Sequence, residues 1–77
     1  MYKVLDTVAL THDVPNAGLG CGDLGAVVEV LAAGAIEVEF VAASGRTQAL
    51  LTLQPEDVRR VGDQDLISVR SLEGTGG

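Results

Sequence analysis

The sequence predicts an all-β domain of about five antiparallel strands with one 3₁₀ turn. The first observation is a run of three alternating segments over residues 25–53, joined by short connections that contain glycine. The second is the glycine-rich composition of residues 11–25, which favours a long irregular loop before these segments. The third is a proline followed by two acids at residues 55–57, which is typical of a single helical turn before a last short strand.

The first strand is predicted at residues 4–10, and the long loop follows it. Glycines at residues 18–22 superficially resemble a phosphate-binding loop. Such a loop would open a helix, whereas this one leads into a strand, so a β-turn is predicted instead. The turn is expected at residues 22–25, with Asp23 accepting hydrogen bonds from backbone amides.

Three strands form a predicted antiparallel meander. In the middle strand, apolar residues alternate with two glutamates, which is the clearest two-residue period in the chain. In the strand before it, Glu29 indicates the solvent-facing side, so Val28 and Val30 are predicted to face the core and Val27 the opposite side. In the strand after it, Leu50 lies on the face opposite to that of its two leucine neighbours.

A short closing strand is predicted at residues 58–61, after the helical turn. A long first loop, short second and third loops and a helical turn before the last strand are the layout of a small SH3-like barrel. Residues 1–61 are therefore predicted as one small barrel domain, and residues 62–77 as a C-terminal extension. The extension contains a predicted extra strand at residues 66–70 and ends in a tail, residues 73–77, that is expected to be disordered.

Several short motifs resemble those of a known family. They are L-D-T-V-A-L at residues 5–10, D-V-P at 13–15, G-D-L-G-A-V-V at 22–28, V-E-F at 38–40 and G-R-T at 45–47. This set is similar to the pattern of the domain of unknown function 4926 family, a group of short bacterial proteins. The resemblance extends over roughly residues 3–61 and implies an SH3-like barrel, but no function.

The balance of apolar residues predicts self-association. Hydrophobic residues make up 47% of the chain and aromatic residues only 3%, so the core must be aliphatic with one large ring, Phe40. The interior of so small a barrel is limited, and surplus aliphatic side chains on its surface favour contacts between copies. The extra strand could also add to the sheet edge of a second copy. The predicted interface residues of this homo-oligomer are Val27, Leu31, Leu50, Leu66, Ile67 and Val69.

Composition also disfavours several classes of protein. A net charge of −6 with five scattered basic residues lacks the positive surface that phosphate contacts need, and the two rings offer no stacking platform, so no nucleic-acid partner is expected. The absence of tryptophan disfavours a groove for proline-rich peptides. No segment is long enough to span a bilayer, no signal peptide is visible and there is one cysteine, which together predict a cytoplasmic protein without membrane contact.

No set of residues predicts catalysis. His12 stands beside Asp13, and Cys21 lies in the same loop, so a Cys–His pair can be drawn. A turn capped by Asp13, a solvated histidine and a small loop-filling cysteine account for the same residues more simply. Zinc requires more ligands than this loop offers. No catalytic residues, metal or cofactor are therefore expected, and the protein is predicted not to be an enzyme.

The glutamates of the meander form a further candidate surface. Glu29, Glu37 and Glu39 are predicted to point outward from neighbouring strands. They serve either as a solubilising face, with Arg46 as a partner across the hairpin, or as a docking surface for a basic protein.

Two functions follow as expectations. The first is a non-enzymatic protein-interaction module that self-associates and is an accessory or regulatory partner of another protein. The alternative is a small-ligand-binding protein with a pocket between subunits, in which Arg46, as the one basic residue inside the meander, binds an anion together with His12 and Asp13 of the long loop.

Overall fold

One antiparallel sheet organises the computed structural model, which describes residues 1–72. Its strands are β1 (Thr7–Leu10), β2 (Leu24–Val30), β3 (Ile36–Val41), β4 (Thr47–Leu53) and β5 (Val58–Arg60). They lie in the order β4-β3-β2-β1-β5, so the predicted all-β class and the meander are confirmed. The sheet does not close, because β4 and β5 are its two edges and do not pair with each other. The tail predicted to be disordered, residues 73–77, lies outside the described residues.

Strand β3 follows its sequence period. Ile36, Val38 and Phe40 are buried, while Glu37 and Glu39 lie on the opposite, outer face of the sheet. Burial of every second side chain is what a strand with one covered face requires. The alternation therefore identified both the strand and its inner face.

Strand β2 departs from its predicted orientation. Val27 is fully buried, so its assignment to a surface interface was wrong. Val28, predicted to face the core, is 38% exposed, whereas Val30 lies opposite the buried Ile36 on the inner face as predicted and is 41% exposed at the end of the strand. The cause is a β-bulge, because the register of β2 against β3 shifts between Val27 and Glu29. An extra residue in one strand reverses which side chains face the core beyond it.

The chain before β1 forms a turn instead of extending the strand to residue 4. Leu5 has a positive φ of 80°, and the Lys3 amide donates a 2.9 Å hydrogen bond to the Asp6 carboxylate. The Arg60 guanidinium fastens this segment to β5, because it bonds Asp6 at 3.0 Å and lies 4.7 Å from the centroid of the Tyr2 ring. This N-terminal segment is thus held by side-chain contacts to β5 and by backbone hydrogen bonds of Leu5 and Asp6 to Val27 of β2.

The long loop contains a 3₁₀ turn at Pro15–Ala17 and then a β-turn that begins two residues earlier than predicted. The Asp23 amide donates to the Gly20 carbonyl at 3.0 Å, and Gly22 has a φ of 91° inside this turn. Asp23 also accepts a 2.9 Å hydrogen bond from the Gly20 amide, as expected for a turn aspartate. The next glycine, Gly25, lies in β2 and is buried.

The predicted helical turn is confirmed at Pro55–Asp57. The Gln54 amide donates to the Asp57 carboxylate at 2.8 Å, and the Gln54 side chain accepts from the Asp57 amide, which completes a capping box. The turn directs the chain into β5, where Val58 is buried.

The hydrophobic core lies on the inner face of the sheet. It contains one ring and eight aliphatic side chains from all five strands and the long loop. They are Val8, Leu10, Leu19, Val27, Ile36, Val38, Phe40, Leu53 and Val58. No helix in the part of the chain that the structure describes has the length and apolar character needed to cross a membrane.

The extra strand predicted at residues 66–70 is absent from the structure, and this prediction was wrong. Residues 62–72, named the arm from here on, begin with a turn and then run without regular structure. A strand needs the backbone of a neighbouring strand, and the arm is held by side-chain bonds instead. An alternating apolar pattern alone did not provide such a neighbour.

Candidate functional site

The arm is fastened at its beginning by a turn. The Gly62 amide donates to the Asp65 carboxylate at 2.6 Å, and the Asp65 amide returns a 3.0 Å hydrogen bond to the Gly62 carbonyl. Arg59 of β5 forms an ion pair with the same carboxylate at 3.1 Å. The Gly62 amide and then the Arg59 guanidinium lower the pKa of Asp65, so the turn carries a charged carboxylate at neutral pH.

A second attachment holds the arm near its other end. The Arg70 guanidinium bonds both carboxylate oxygens of Asp23, with an Nε–Oδ1 distance of 2.8 Å, and also donates to the Gly18 carbonyl at 3.1 Å. The hydrogen bond from Arg70 is the main cause that lowers the pKa of Asp23. A two-pronged arginine–carboxylate bond fixes orientation as well as distance. The arm is thereby fixed across the glycine-rich loop.

The apolar side chains between these two attachments face solvent. Leu66 is 95% exposed, Ile67 64% and Val69 96%. Surface leucines are common one at a time, but three within four residues of a fastened segment form an apolar patch. The three arm residues predicted for an interface are thus exposed, whereas Leu31 is half-buried after the end of β2.

A cleft of about 680 Å³ lies between the arm and the sheet. Its apolar walls include Leu24 and Val41 of the sheet and Leu66 of the arm. The two cations in its lining, Arg59 and Arg70, are both engaged by aspartates. The cleft therefore has a largely apolar wall, and both of its arginines are already paired with aspartates rather than available to bind an anion.

The outer face of β3 and β4 carries carboxylates that lean toward one edge. Thr47 donates its hydroxyl to Glu39 at 2.5 Å, and Thr52 donates to Glu37 at 3.5 Å. Both threonines belong to the edge strand β4. Leu50 lies between them on the same face, directly opposite Glu39, and is 55% exposed.

The three residues predicted to bind a small ligand are not assembled into one site. His12 bonds the carboxylate of Asp57, and Asp13 accepts a 2.8 Å hydrogen bond from the amide of Cys21. The Arg46 guanidinium has no hydrogen bond or ion pair with any side chain of residues 1–72, and Glu39 is bonded to Thr47 rather than to it. None of the three predicted ligand residues lines the cleft under the arm.

His12 is held by acceptors at both ring nitrogens. Its Nδ1 lies 2.9 Å from the backbone oxygen of Asp13, and its Nε2 lies 2.9 Å from the carboxylate of Asp57. Only the protonated ring can donate at both nitrogens. The Asp13 carbonyl and then the Asp57 carboxylate accordingly raise the pKa of His12 above its ordinary value of 6.5.

A pH dependence of stability follows from this pair. The unfolded chain binds the proton with the ordinary pKa of 6.5, so stabilisation by His12 is complete below that pH and is lost as pH rises through the raised folded-state pKa. In urea titrations from about pH 5.5 to about pH 8.5, replacement by His12→Gln should cost stability at the acidic end and progressively less at the alkaline end. A constant difference between the two proteins across this range would contradict the assignment.

The side-chain pairs that hold the arm and the long loop in place could not be predicted from the sequence. The Arg70–Asp23 bond joins residues 47 positions apart, and the His12–Asp57 bond joins residues 45 apart. A single sequence contains no pattern that reports such distant pairs. Within residues 1–72, no three histidine, cysteine or acidic side chains come together in a group that could hold a metal ion.

The sequence matches the model of a known protein family. The model of the family described as domain of unknown function (DUF4926) matches residues 4–60, which is most of the chain and all five strands. The chain therefore belongs to this family, and the predicted resemblance is confirmed. Searches of curated proteins and of solved structures found no match. The arm lies beyond the matched residues.

Proposed function

We propose that this member of the domain of unknown function 4926 family is a non-enzymatic protein-interaction module that associates with copies of itself through the arm and is an accessory or regulatory partner of another protein. Its element order supports an SH3-like architecture, a fold-level analogy that does not itself specify a function. A bacterial, cytoplasmic setting is part of the proposal, because the single cysteine, Cys21, is free and exposed.

The observation that carries the proposal is the contrast between the attachment and the exposure of the arm. Ion pairs at Asp65 and Asp23 hold the segment in place, yet Leu66, Ile67 and Val69 remain in water. Ordering an apolar segment costs conformational entropy, and burial on its own body does not compensate for that cost here. A second copy that covers these side chains would supply the missing burial.

Contact between the arms of two copies is the mode that the contacts support. The Arg59–Asp65 and Arg70–Asp23 ion pairs hold each arm on its own body, so its apolar patch is available to pack against the same patch of a second copy. Full burial of an aliphatic side chain contributes about 1.5–3 kcal/mol. Three such side chains on each of two arms contribute roughly 9–18 kcal/mol, which is comparable to or larger than the entropic cost of association of about 4–15 kcal/mol.

Removal of the apolar patch should therefore produce single chains. In size-exclusion chromatography with light scattering, the unmodified protein is expected at a multiple of 7.9 kDa. The triple variant Leu66→Ser, Ile67→Ser, Val69→Ser should have the mass of one chain, as should a protein that lacks residues 62–77.

The control changes three exposed aliphatic side chains of the sheet instead. Val28, Val30 and Leu50 lie outside the lining of the cleft under the arm, and the variant Val28→Ser, Val30→Ser, Leu50→Ser should keep the assembled mass. An unmodified protein with the mass of one chain would refute self-association. A control variant that dissociates while the arm variant does not would place the interface on the sheet.

The alternative, a small-ligand-binding protein with an inter-subunit pocket, has one observation in its favour. The cleft under the arm has a volume within the range of small-molecule sites. Its walls are mostly apolar, and its two arginines are paired with aspartates. These features suit an uncharged apolar ligand rather than the anion expected for Arg46. The cleft lies within one chain, so a single-chain mass would remove the pocket between subunits but not a ligand site under the arm.

A further inference from the structure

We propose that the free edge of β4 is the docking site for an extended segment of a basic partner protein, which adds to the sheet as a sixth strand. This inference rests on the proposed interaction function and specifies the chemistry of the partner. The segment would have an apolar side chain facing Leu50 and a lysine or arginine on either side of it, two residues away along the strand.

The edge of β4 is long, and most of it is unprotected. Strand β4 has seven residues and pairs only with β3, whereas the other edge strand, β5, has three residues. Across residues 1–72, backbone hydrogen bonds to β4 come from β3 alone. Exposed edges are normally defended by charged side chains, proline, bulges or short length. A bulge interrupts β4 at Gln48, and the stretch from Ala49 to Leu53 has none of these defences. Its outward backbone groups can therefore bond an added strand.

The side chains beside this edge specify charge. The carboxylates of Glu37 and Glu39 both lean onto β4, where the hydroxyls of Thr52 and Thr47 each occupy one oxygen. An ionised carboxylate can accept several further hydrogen bonds. A strand added to β4 would lie about 4.8 Å beyond it, so a long basic side chain could cross the small threonines and reach these carboxylates.

The register gives the order of the partner's side chains. Thr52 lies opposite Glu37 and Leu50 opposite Glu39, while the Glu39 carboxylate leans further along β4 to Thr47. Leu50 is therefore an apolar position with one carboxylate reachable on each side. Thr52 is two residues from Leu50, and Thr47 takes the equivalent position on the other side because the bulge at Gln48 adds one residue there. Alternate residues of an added strand face the same side of the sheet, which gives the order basic, apolar, basic at every second position.

A second copy of this chain is a poor occupant of the same edge. The β4 sequence TQALLTL contains no lysine or arginine, so a second copy would bring no basic side chain within reach of Glu37 and Glu39, and each chain carries a net charge of −6. Two strongly acidic chains also repel each other. Attraction of a basic segment by these carboxylates would instead assist both encounter and choice of partner.

The test uses the full chain labelled with ¹⁵N and a capped synthetic peptide, T-R-T-V-T-R-T, followed by amide chemical shifts. We expect saturable shifts centred on residues 47–53, and a weaker interaction as salt is added. The peptide T-E-T-V-T-E-T, with the same length and the same backbone donors, should cause no saturable shifts.

Matched variants separate local from general charge effects. Glu37→Gln with Glu39→Gln should weaken binding of the arginine peptide about threefold to tenfold, from two exposed ion pairs. Glu56→Gln with Asp63→Asn removes the same charge from exposed positions away from β4 and should change the dissociation constant less than about twofold. Both variants should retain the dispersion of amide shifts of the folded chain.

Three results would overturn the inference: no saturable binding, equal weakening in the two double variants, or shifts centred on the arm instead of β4. These failures are distinguishable from failure of the proposed function. If the arm variant still dissociates the assembly while the peptide does not bind, self-association stands and only the β4 docking site is refuted.

Discussion

Replacing Phe40 with alanine is expected to lower the free energy of unfolding by about 3–5 kcal/mol. Phe40 is 2% exposed, is the largest fully buried side chain and is the only phenylalanine in the chain. Its neighbours in the core are aliphatic side chains fixed by the sheet, so they cannot collapse into the space that the ring leaves. A domain of 77 residues has a total stability of roughly 4–12 kcal/mol. The loss is therefore a large fraction of the total stability, and the variant should unfold at a much lower urea concentration than the unmodified protein.

Urea titration followed by circular dichroism measures this loss. Two further variants test whether the loss is specific to the ring. Phe40→Leu keeps much of the side-chain volume and should lose less than half as much stability as Phe40→Ala. Leu50→Ala, at an exposed position, should change stability by no more than about 0.5 kcal/mol. Equal effects of Phe40→Ala and Leu50→Ala would show that the ring is not part of the core.

Replacing Gly25 with alanine is expected to destabilise the fold by about 2–3 kcal/mol, or more if the strands must separate. A Cβ at this position would lie 2.5 Å from Val38 Cγ1 and 2.8 Å from Phe40 Cε2, which is closer than carbon atoms approach. Val38 and Phe40 are both buried on β3, so neither side chain can move aside without repacking of the core. The added methyl group would therefore force β2 and β3 apart at the centre of the sheet.

The control for this variant is Gly62→Ala. Its nearest neighbour would be Asp65 Oδ2 at 3.7 Å, an ordinary contact, and its backbone is not in the left-handed region. Urea titration should show a change within about 0.5 kcal/mol, or a small gain from the less flexible unfolded chain. A Gly25→Ala protein as stable as Gly62→Ala would mean that β2 and β3 are not packed as described.

The sequence was most informative where one face of a strand is charged and the other apolar. Glu37 and Glu39 between apolar residues fixed both the position and the inner face of β3, and proline before two acids located the turn at residues 55–57. Local rules suffice in such cases because burial and charge lead to the same assignment.

The same rules failed where neighbouring residues are all apolar. From Ala26 to Val28 the side chains do not distinguish inside from outside, and a bulge before Glu29 then reverses the order. Residues 66–70 have a strand-like composition but gain no neighbouring strand. Whether an apolar segment pairs depends on which edges of the sheet are within its reach, which is a property of the whole fold.

Less of the candidate site than of the fold was predictable. Exposure of Leu50 and of the apolar arm residues followed from the surplus of aliphatic residues. The attachment of the arm did not, because Arg70 and Asp23 meet only after the sheet and the glycine-rich loop have formed. The lean of Glu37 toward β4 likewise depends on a threonine of the neighbouring strand.

The stacking of Tyr2 against Arg60 determines what ultraviolet spectroscopy can observe in this protein. The chain contains one tyrosine and no tryptophan, so its intrinsic fluorescence arises mainly from a ring of the N-terminal segment that packs at the margin of the core. Emission will therefore report release of that segment from β5, while circular dichroism reports loss of the sheet. If the two signals change at different urea concentrations, the difference measures the separate detachment of the first residues of the chain.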